Sequence, residues 1–196
     1  EAALYKYDSV NKSFTEFAKG PKIPNYPVID SKRNCIYVSD SFGFNEKGVG
    51  LYKFDLTNGD GGPCSEELFN FANGMCLSPD GNFLYVVESF HPCVSRLPIN
   101  DDGTFGKKEI FTENISTVPD GLAFDKENNL FISCYEPSRI YIADQSGKTR
   151  LLIEDKHCTT MAHPTNIAIS KDGNTMYTAN LGRWHITEID ISSLYK

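Results

Sequence analysis

The sequence predicts an all-β protein of the β-propeller type. Four short segments repeat at intervals of about 47 residues, the length of a propeller blade of four strands. Each segment opens with an amide or carboxylate side chain and continues into a run rich in Val, Ile, Phe and Tyr, as strands do. The four opening residues are Asn25, Asn73, Asp120 and Asn166. Radial repetition should bring these side chains together at one mouth of the ring.

The strands can be assigned blade by blade from these repeats. The predicted first strands cover 27–30, 75–78, 122–125 and 167–170; the second strands 35–39, 83–87, 130–133 and 175–178; the third strands 50–55, 93–99, 139–143 and 185–190; and the fourth strands 67–71, 108–111 and 150–153. Two more strands, 4–7 and 14–17, match the third and fourth strands of a preceding blade. The irregular stretch 41–49 is interpreted as a rim loop, with a lid as the alternative, and Trp184 is expected to pack between blades.

Turn residues agree with this order of strands. Pro79-Asp-Gly-Asn82 and Lys171-Asp-Gly-Asn174 separate first from second strands, where a tight hairpin needs positive φ. The other two blades fill the same slot with Asn34 and with the Asn pair of 126–129. All four connections are therefore predicted to be hairpins.

Composition narrows the classes of function. A hydrophobic content of 40% and a net charge of −7 are ordinary for a globular protein that contains no membrane span. Lys and Arg are scattered, which argues against a nucleic-acid groove. An acidic body is also compatible with a cation site. The sequence therefore predicts neither a nucleic-acid nor a membrane partner, and it leaves the oligomeric state open.

Six cysteines lack the spacing of a zinc finger or of a Cys-x-x-Cys motif. Cys35, Cys76 and Cys134 fall inside apolar strand patterns, where a free thiol behaves as a small hydrophobic group. Buried free thiols are therefore expected, with one or more disulfides as the alternative. Free thiols favour a cytoplasmic location, while a secreted or periplasmic one is left open.

Several motifs resemble one family of proteins, the group that contains senescence marker protein, gluconolactonase and luciferin-regenerating enzyme. The matching motifs are Ile23-Pro-Asn-Tyr-Pro-Val28, Asn73-Gly-Met-Cys-Leu-Ser-Pro-Asp-Gly81, Pro119-Asp-Gly-Leu-Ala-Phe124, His163-Pro-Thr-Asn-Ile-Ala168 and Leu181-Gly-Arg-Trp-His185. The resemblance implies a six-bladed propeller, of which about four blades are present. Residues 1–196 are then expected to form a single, incomplete propeller domain that lacks one or more N-terminal blades and the last outer strand.

The resemblance also implies a divalent cation on the propeller axis and hydrolysis of sugar lactones. Asn73 and Asp120 match the family's metal ligands, and Asp120 also matches its proposed catalytic base. Asn25 matches an Asn near metal and substrate, whereas Tyr26 stands where the family has a polar substrate contact. The family adds a Glu ligand from its first blade, and Glu1, which precedes a third-strand pattern, is not expected to be that ligand.

The donor types indicate what such a site could do. Amide and carboxylate oxygens favour Ca²⁺, with Mg²⁺ and Mn²⁺ as alternatives, and Zn²⁺ is retained from the resemblance. A cation held by Asn73 and Asp120 could polarise a lactone carbonyl and acidify a water, while Asp120 takes a proton from that water. Asn25, Tyr26 and Asn166 would contact the substrate, a lactone or sugar acid. The hypothesis is a metal-dependent lactonase.

Two alternatives remain at this point. Propellers host many functions, so a non-enzymatic module that binds a protein or small ligand is the first alternative. The second is a propeller similar to strictosidine synthase, because Glu88-Ser89 followed by Arg96 resembles a pattern of that group. In both groups this Glu and Arg are interpreted as a structural link between second and third strands.

Overall fold

The computed structural model describes residues 2–116 and 118–195, so Glu1 lies outside the described residues. The strands are β1 Ala3–Asp8, β2 Ser13–Lys19, β3 Pro24–Asp30, β4 Cys35–Asp40, β5 Lys47–Gly48, β6 Leu51–Asp55, β7 Gly61–Pro63, β8 Phe69–Asn70, β9 Ala72–Leu77, β10 Phe83–Glu88, β11 Cys93–Pro98, β12 Glu109–Thr112, β13 Pro119–Phe124, β14 Leu130–Cys134, β15 Arg139–Ala143, β16 Thr149–Glu154, β17 Pro164–Ile169, β18 Thr175–Asn180 and β19 Ile186–Asp190. A short 3₁₀ helix, Ser192–Tyr195, follows the last strand.

These strands form antiparallel sheets in sequence order. Blade 1 is β3-β4-β6-β7, blade 2 is β9-β10-β11-β12, blade 3 is β13-β14-β15-β16, and blade 4 is β17-β18-β19. The strands β1 and β2 form a separate hairpin, and the two short strands β5 and β8 pair with each other. The predicted all-β propeller fold is confirmed, with three four-stranded blades, one three-stranded blade and two two-stranded sheets in the described chain.

The first strands of the four blades lie side by side in sequence order, β3 against β9, β9 against β13, and β13 against β17. Because consecutive strands within a blade are antiparallel, the start of each first strand and the end of each second strand meet at one edge. We call this edge the mouth. The opening residues of all four repeats therefore lie at the mouth, as the repeat pattern predicts.

An apolar cluster fills each interface between neighbouring sheets. Tyr37 and Leu51 of blade 1 pack with Met75 and Leu84 of blade 2. A second cluster joins blades 2 and 3, a third joins blades 3 and 4, and a fourth joins the β1–β2 hairpin to blade 1. Burying one such side chain contributes roughly 1.5–3 kcal/mol. These clusters hold the blades in fixed register and so fix the geometry of the mouth.

The second strand of blade 2 shows how one sequence pattern serves two interfaces. Side chains alternate across a strand, so Leu84 and Val86 face blade 1 while Tyr85 and Val87 face blade 3. Both faces are covered, so this strand is apolar at nearly every position instead of alternating with polar residues. The run Leu84–Val87 is therefore buried on both faces.

The predicted hairpin turns are confirmed. Gly81 and Gly173 have φ of 70° and 73°, and Asn34 and Asn128 occupy the corresponding turns with φ of 51° and 63°. Asn tolerates this left-handed conformation better than most residues do. The turns thus connect first to second strands at the edge opposite the mouth.

Two predictions about blade edges are wrong. The fourth strand of blade 1 is Gly61–Pro63, not 67–71, and Phe69–Asn70 pairs instead with Lys47–Gly48. The Gly-Gly-Pro run has low strand propensity, so sequence patterns favoured the aromatic segment. Trp184 is fully exposed and does not pack between blades. Its loop lies against the connection between β16 and β17, where Arg183 donates to the Cys158 carbonyl oxygen.

The cysteines of the described chain are all free thiols, of which Cys35, Cys93 and Cys134 are buried. Burial raises the pKa of the Cys93 thiol to about 11 and that of Cys134 to about 12, which makes both thiols inert near neutral pH. Within residues 2–116 and 118–195, no helix is long and apolar enough to cross a bilayer.

Candidate metal and substrate site

The pairing between first and second strands defines equivalent positions at the mouth. The pairs nearest the mouth are Pro24 with Asp40, Ala72 with Glu88, Pro119 with Cys134, and Pro164 with Asn180. The residue after the first member of each pair is Asn25, Asn73, Asp120 and Thr165, respectively. These four residues occupy the same place in their blades.

The fourth repeat was therefore aligned one residue too far along. Thr165, not Asn166, is the structural equivalent of Asp120, and Asn166 corresponds to Gly121. The cause is the side-chain type: Thr165 carries no amide or carboxylate, so the sequence pattern selected the neighbouring Asn. A contact between Asn166 and substrate remains a prediction, but not one that rests on equivalence to Asn73.

Each first strand is irregular at this point. The register shifts between Pro24 and Pro27 in blade 1, and between Pro119 and Leu122 in blade 3. Corresponding shifts occur in the first strands of blades 2 and 4. A β-bulge re-aims the side chains around it and is over-represented beside active sites. The side chains of the opening residues therefore need not follow the alternation between the two faces of the strand.

Asn73 and Asp120 lie close together. The Asn73 side chain is near enough to the Asp120 carboxylate to lower its pKa, and Asn73 itself is buried. Burial nevertheless raises the pKa of Asp120 to about 7, and the Asn73 amide only partly offsets this increase. Among the described residues, no Lys, Arg or His lowers the pKa of Asp120. The mouth therefore contains a half-buried carboxylate without a cationic partner.

In blades 1 and 2, a serine holds the side chain of the opening asparagine. Asn73 Nδ2 donates to Ser89 Oγ at 3.0 Å, and Ser89 Oγ donates to the Pro119 carbonyl oxygen at 2.7 Å. Asn25 repeats the arrangement through Ser41, which donates to the Ala72 carbonyl oxygen at 2.9 Å. Each serine thereby links the opening residue of one blade to the peptide group that precedes the opening residue of the next blade.

Sequence reasoning missed this function of Ser41 and Ser89. The signal was present, because both serines follow an acidic residue at the end of a second strand, in Asp40-Ser41 and Glu88-Ser89. Their spacing also equals that of Asn25 and Asn73. A search for repeats restricted to the opening residues did not reach them.

The glycines that follow Asn73 and Asp120 permit neighbouring first strands to approach closely. A Cβ built on Gly74 would lie 2.1 Å from the Asp120 carbonyl oxygen, and one on Gly121 would lie 2.7 Å from Asn166 Cα. Neither glycine has positive φ. The Asn-Gly and Asp-Gly pairs therefore serve close packing of the first strands and not turn formation.

Gly74→Ala tests this interpretation. The added methyl group meets backbone atoms of Asp120 and Gly121, which cannot move cheaply, so we expect a loss of about 2 kcal/mol or more in the free energy of unfolding. Gly62→Ala is the matched control, because a Cβ there has no atom within 4 Å, and its expected effect is within about 0.5 kcal/mol. Urea denaturation measures both, and equal effects would contradict the close approach.

The other predicted site residues lie around this pair. Asn25 is exposed and is joined through Ser41 to the residue before Asn73. Tyr26 is half-buried and packs against the cluster between blades 1 and 2. Asn166 Oδ1 accepts from the Ile167 main chain at 2.8 Å and lies beside Gly121. Substrate contacts by these three residues stay predictions.

Glu88 is a structural residue, as predicted, but its partner is not Arg96. Its carboxylate accepts from Ser95 Oγ at 2.6 Å, from the Asn70 main chain at 2.8 Å and from Lys108 Nζ at 3.0 Å. Burial alone would raise the pKa of Glu88, yet these hydrogen bonds hold it below its ordinary value. Arg96 pairs instead with Glu109, since side chains of adjacent strand residues point to opposite faces.

The side chains at the mouth supply part of the coordination shell of a hard cation. Across residues 2–116 and 118–195, no group of three His, Cys, Asp or Glu side chains is arranged to hold a metal. Asn73 and Asp120 nevertheless place a side-chain amide and a carboxylate near each other at the mouth, and the oxygen atoms of such groups suit Ca²⁺, Mg²⁺ or Mn²⁺. A divalent cation would also supply the positive charge that the buried Asp120 lacks.

Comparison with known proteins agrees with this architecture. The model of one family, described as the SMP-30/gluconolactonase/LRE-like region, matches residues 45–178. The chain belongs to this family. The match includes Asn73 and Asp120 and extends over most of blades 1–4.

Curated relatives include two staphylococcal proteins named lactonase drp35. One, from Staphylococcus haemolyticus, is 27% identical over 151 residues, which is 67% of this chain and 46% of the relative. The other, from Staphylococcus aureus strain USA300, is 28% identical over 201 residues, which is 84% of this chain and 61% of the relative. The chain thus spans about half to three fifths of the length of these relatives.

Solved structures show the same fold. A gluconolactonase from Xanthomonas campestris has a TM-score of 0.72 at 16% identity, covering 91% of this chain and 62% of its own. The calcium-binding protein regucalcin from Agrobacterium tumefaciens has a TM-score of 0.71 at 18% identity, covering 98% and 65%. At these identities the similarity establishes the fold alone.

Proposed function

We propose that this protein hydrolyses a lactone at the mouth of its propeller and that a divalent cation, most simply Ca²⁺, is bound there by Asn73 and Asp120. One observation carries the proposal. Asp120 is a partly buried carboxylate at the mouth with a pKa raised to about 7 and with Asn73 close to it. Membership of a family with lactonases supports the same chemistry.

Asp120 acts as the general base. Without a bound cation its pKa is raised to about 7, so the carboxyl group is partly ionised near neutral pH; a cation at the site would favour the ionised form, which is the form that takes a proton. It removes a proton from water as the water oxygen bonds to the lactone carbonyl carbon. The ring C–O bond then breaks, and the departing alkoxide receives that proton, so the product is a hydroxy acid.

Asn73, Asn25 and the two serines position the reacting groups. Ser89 holds the Asn73 amide and the peptide before Asp120 in one arrangement, so the two side chains keep their relative geometry. Asn25, Tyr26 and Asn166 orient the substrate. A bound divalent cation would polarise the lactone carbonyl and lower the pKa of water.

A pH-stat assay on γ-butyrolactone and gluconolactone tests the proposal. We expect acid release that requires the protein, falls at least tenfold after treatment with a chelator, and returns on addition of Ca²⁺ or Mn²⁺. Tight cation binding without turnover of either lactone would instead favour a binding module. Turnover that is unaffected by the chelator would contradict the involvement of a cation.

A further inference from the structure

Three phenylalanines form an exposed aromatic patch. The ring centroids of Phe71 and Phe90 are 4.7 Å apart, those of Phe44 and Phe71 are 5.2 Å apart, and those of Phe44 and Phe90 are 5.7 Å apart. Phe44 is 66% exposed and Phe90 is 46% exposed. Single exposed apolar residues are common, but a contiguous exposed group indicates a binding surface.

The patch lies at the mouth. Phe44 belongs to the loop between β4 and β6, Phe90 to the loop after β10, and Phe71 directly precedes β9. Because second strands end at the mouth and first strands begin there, all three loops lie on the same edge as Asn73 and Asp120. The patch and the candidate site therefore open onto one face.

Hydrogen bonds connect the patch directly to the site. The Ser89 main-chain N–H donates to the Phe71 carbonyl oxygen at 3.2 Å. The Ser89 side chain holds Asn73 and the peptide before Asp120, and Phe90 is the next residue. Ser89 thus lies between the aromatic rings and the Asn73–Asp120 pair.

The backbone holds these rings in place. Phe71 has φ of 61°, and the equivalent residues of blades 3 and 4, Val118 and His163, both have φ of 53°, so this conformation belongs to the entry of the first strand in these blades. Lys47–Gly48, from the loop that carries Phe44, pairs with Phe69–Asn70, and Glu88 accepts from the Asn70 main chain at 2.8 Å. The patch is therefore pre-formed.

We infer that Phe44, Phe71 and Phe90 bind an alkyl substituent on the lactone ring, so that the preferred substrates are alkyl-substituted lactones and not polyhydroxylated sugar lactones. This inference rests on the proposed function. Phenyl rings offer no hydrogen bond to a sugar hydroxyl, whereas an alkyl chain laid against them leaves water, which contributes about 0.8 kcal/mol for each buried methylene.

The experiment is a chain-length series measured in two ways. Hydrolysis of γ-butyrolactone, γ-hexalactone, γ-octalactone and γ-decalactone gives kcat/KM. Calorimetry with the corresponding γ-alkyl lactams, which resist hydrolysis, gives affinity without turnover. The variants are Phe44→Ala/Phe90→Ala, which removes two exposed rings, and Phe14→Ala, which removes a 70% exposed ring on the β1–β2 hairpin, away from the mouth.

We expect kcat/KM and lactam affinity of the unsubstituted protein to rise about fourfold for each added methylene. The double variant should lose most of this increase, whereas Phe14→Ala should keep it. A lactam series that is flat in the unsubstituted protein, or equally steep in the double variant, would overturn the inference. So would faster hydrolysis of gluconolactone than of γ-octalactone.

Two further outcomes separate this inference from the proposed function. A steep lactam series that the double variant abolishes, without turnover of any lactone, would support the aromatic wall and contradict the lactonase. A flat lactam series together with a dimer that the double variant dissociates, as seen by sedimentation, would assign the patch to a second copy of the chain and overturn the inference.

Discussion

Asp120→Asn is expected to lower kcat/KM for lactone hydrolysis by about 10²- to 10⁴-fold, the contribution typical of a positioned general base. Asn keeps the size of the side chain and its hydrogen-bonding reach, but it can neither take a proton nor offer a charged ligand. The expected loss therefore reports chemistry and not collapse of the mouth. Circular dichroism and urea denaturation should show the fold retained.

Asp172→Asn is the matched control. Asp172 lies in the hairpin between β17 and β18, at the edge opposite the mouth, where it accepts from Ser170 Oγ and from the Asn174 main chain. We expect this variant to keep nearly full activity. If Asp120→Asn also kept more than half of the activity, Asp120 would not be the base.

The second large effect concerns stability against pH in the presence of a chelator. The pKa of Asp120 is raised by burial from 3.8 to about 7 in the folded chain. Folding therefore favours the protonated carboxyl, and between about pH 4 and pH 7 the folded state binds more protons than the unfolded state does. By linkage, the free energy of unfolding falls across this window as pH rises, and it levels off above about pH 7.

Asp120→Asn removes this dependence, because Asn stays neutral. Relative to Asp120→Asn, the unsubstituted protein should therefore lose about 3 kcal/mol between pH 5 and pH 8. Urea denaturation at the two pH values measures the difference. Saturating Ca²⁺ should diminish it, since a bound cation stabilises the carboxylate. Parallel pH profiles of the two proteins in chelator would contradict the raised pKa.

The repeat pattern was sufficient to predict the fold, for a physical reason. The second strands of blades 2 and 3 are buried on both faces, so the runs Leu84–Val87 and Leu130–Ile132 are apolar and recur at blade spacing. The hairpin turns need positive φ, which restricts them to Gly and Asn. Burial and the need for positive φ both restrict which residues can occupy a position, so both features can be recognised in the sequence.

Details that depend on contacts between blades are harder to predict from the sequence. Because of the bulge at the mouth, the sequence alone does not show whether Thr165 or Asn166 is equivalent to Asp120, and only the strand pairing distinguishes them. The outer strand Gly61–Pro63 forms through pairing with β6 and not through propensity. Outer strands and loops contribute little to the core, so their sequences are less constrained.

The proximity of two candidate site residues was predicted. Asn73 and Asp120 were expected to lie together at the mouth, and in the structure they lie close to each other, while their roles stay predictions. The serine links and the Gly74–Asp120 approach were not predicted, because each depends on backbone atoms of the next blade, which a sequence does not display. The aromatic patch was not predicted either, because its three phenylalanines come from three separate loops.

Calorimetric titration with Ca²⁺ and Mn²⁺ tests the central claim, that Asn73 and Asp120 form one cation-binding and catalytic site. We expect a single site in the unsubstituted protein and in Asp172→Asn, and at least a hundredfold weaker binding in Asp120→Asn. Equal affinity in all three proteins, or no binding in any of them, would contradict the claim.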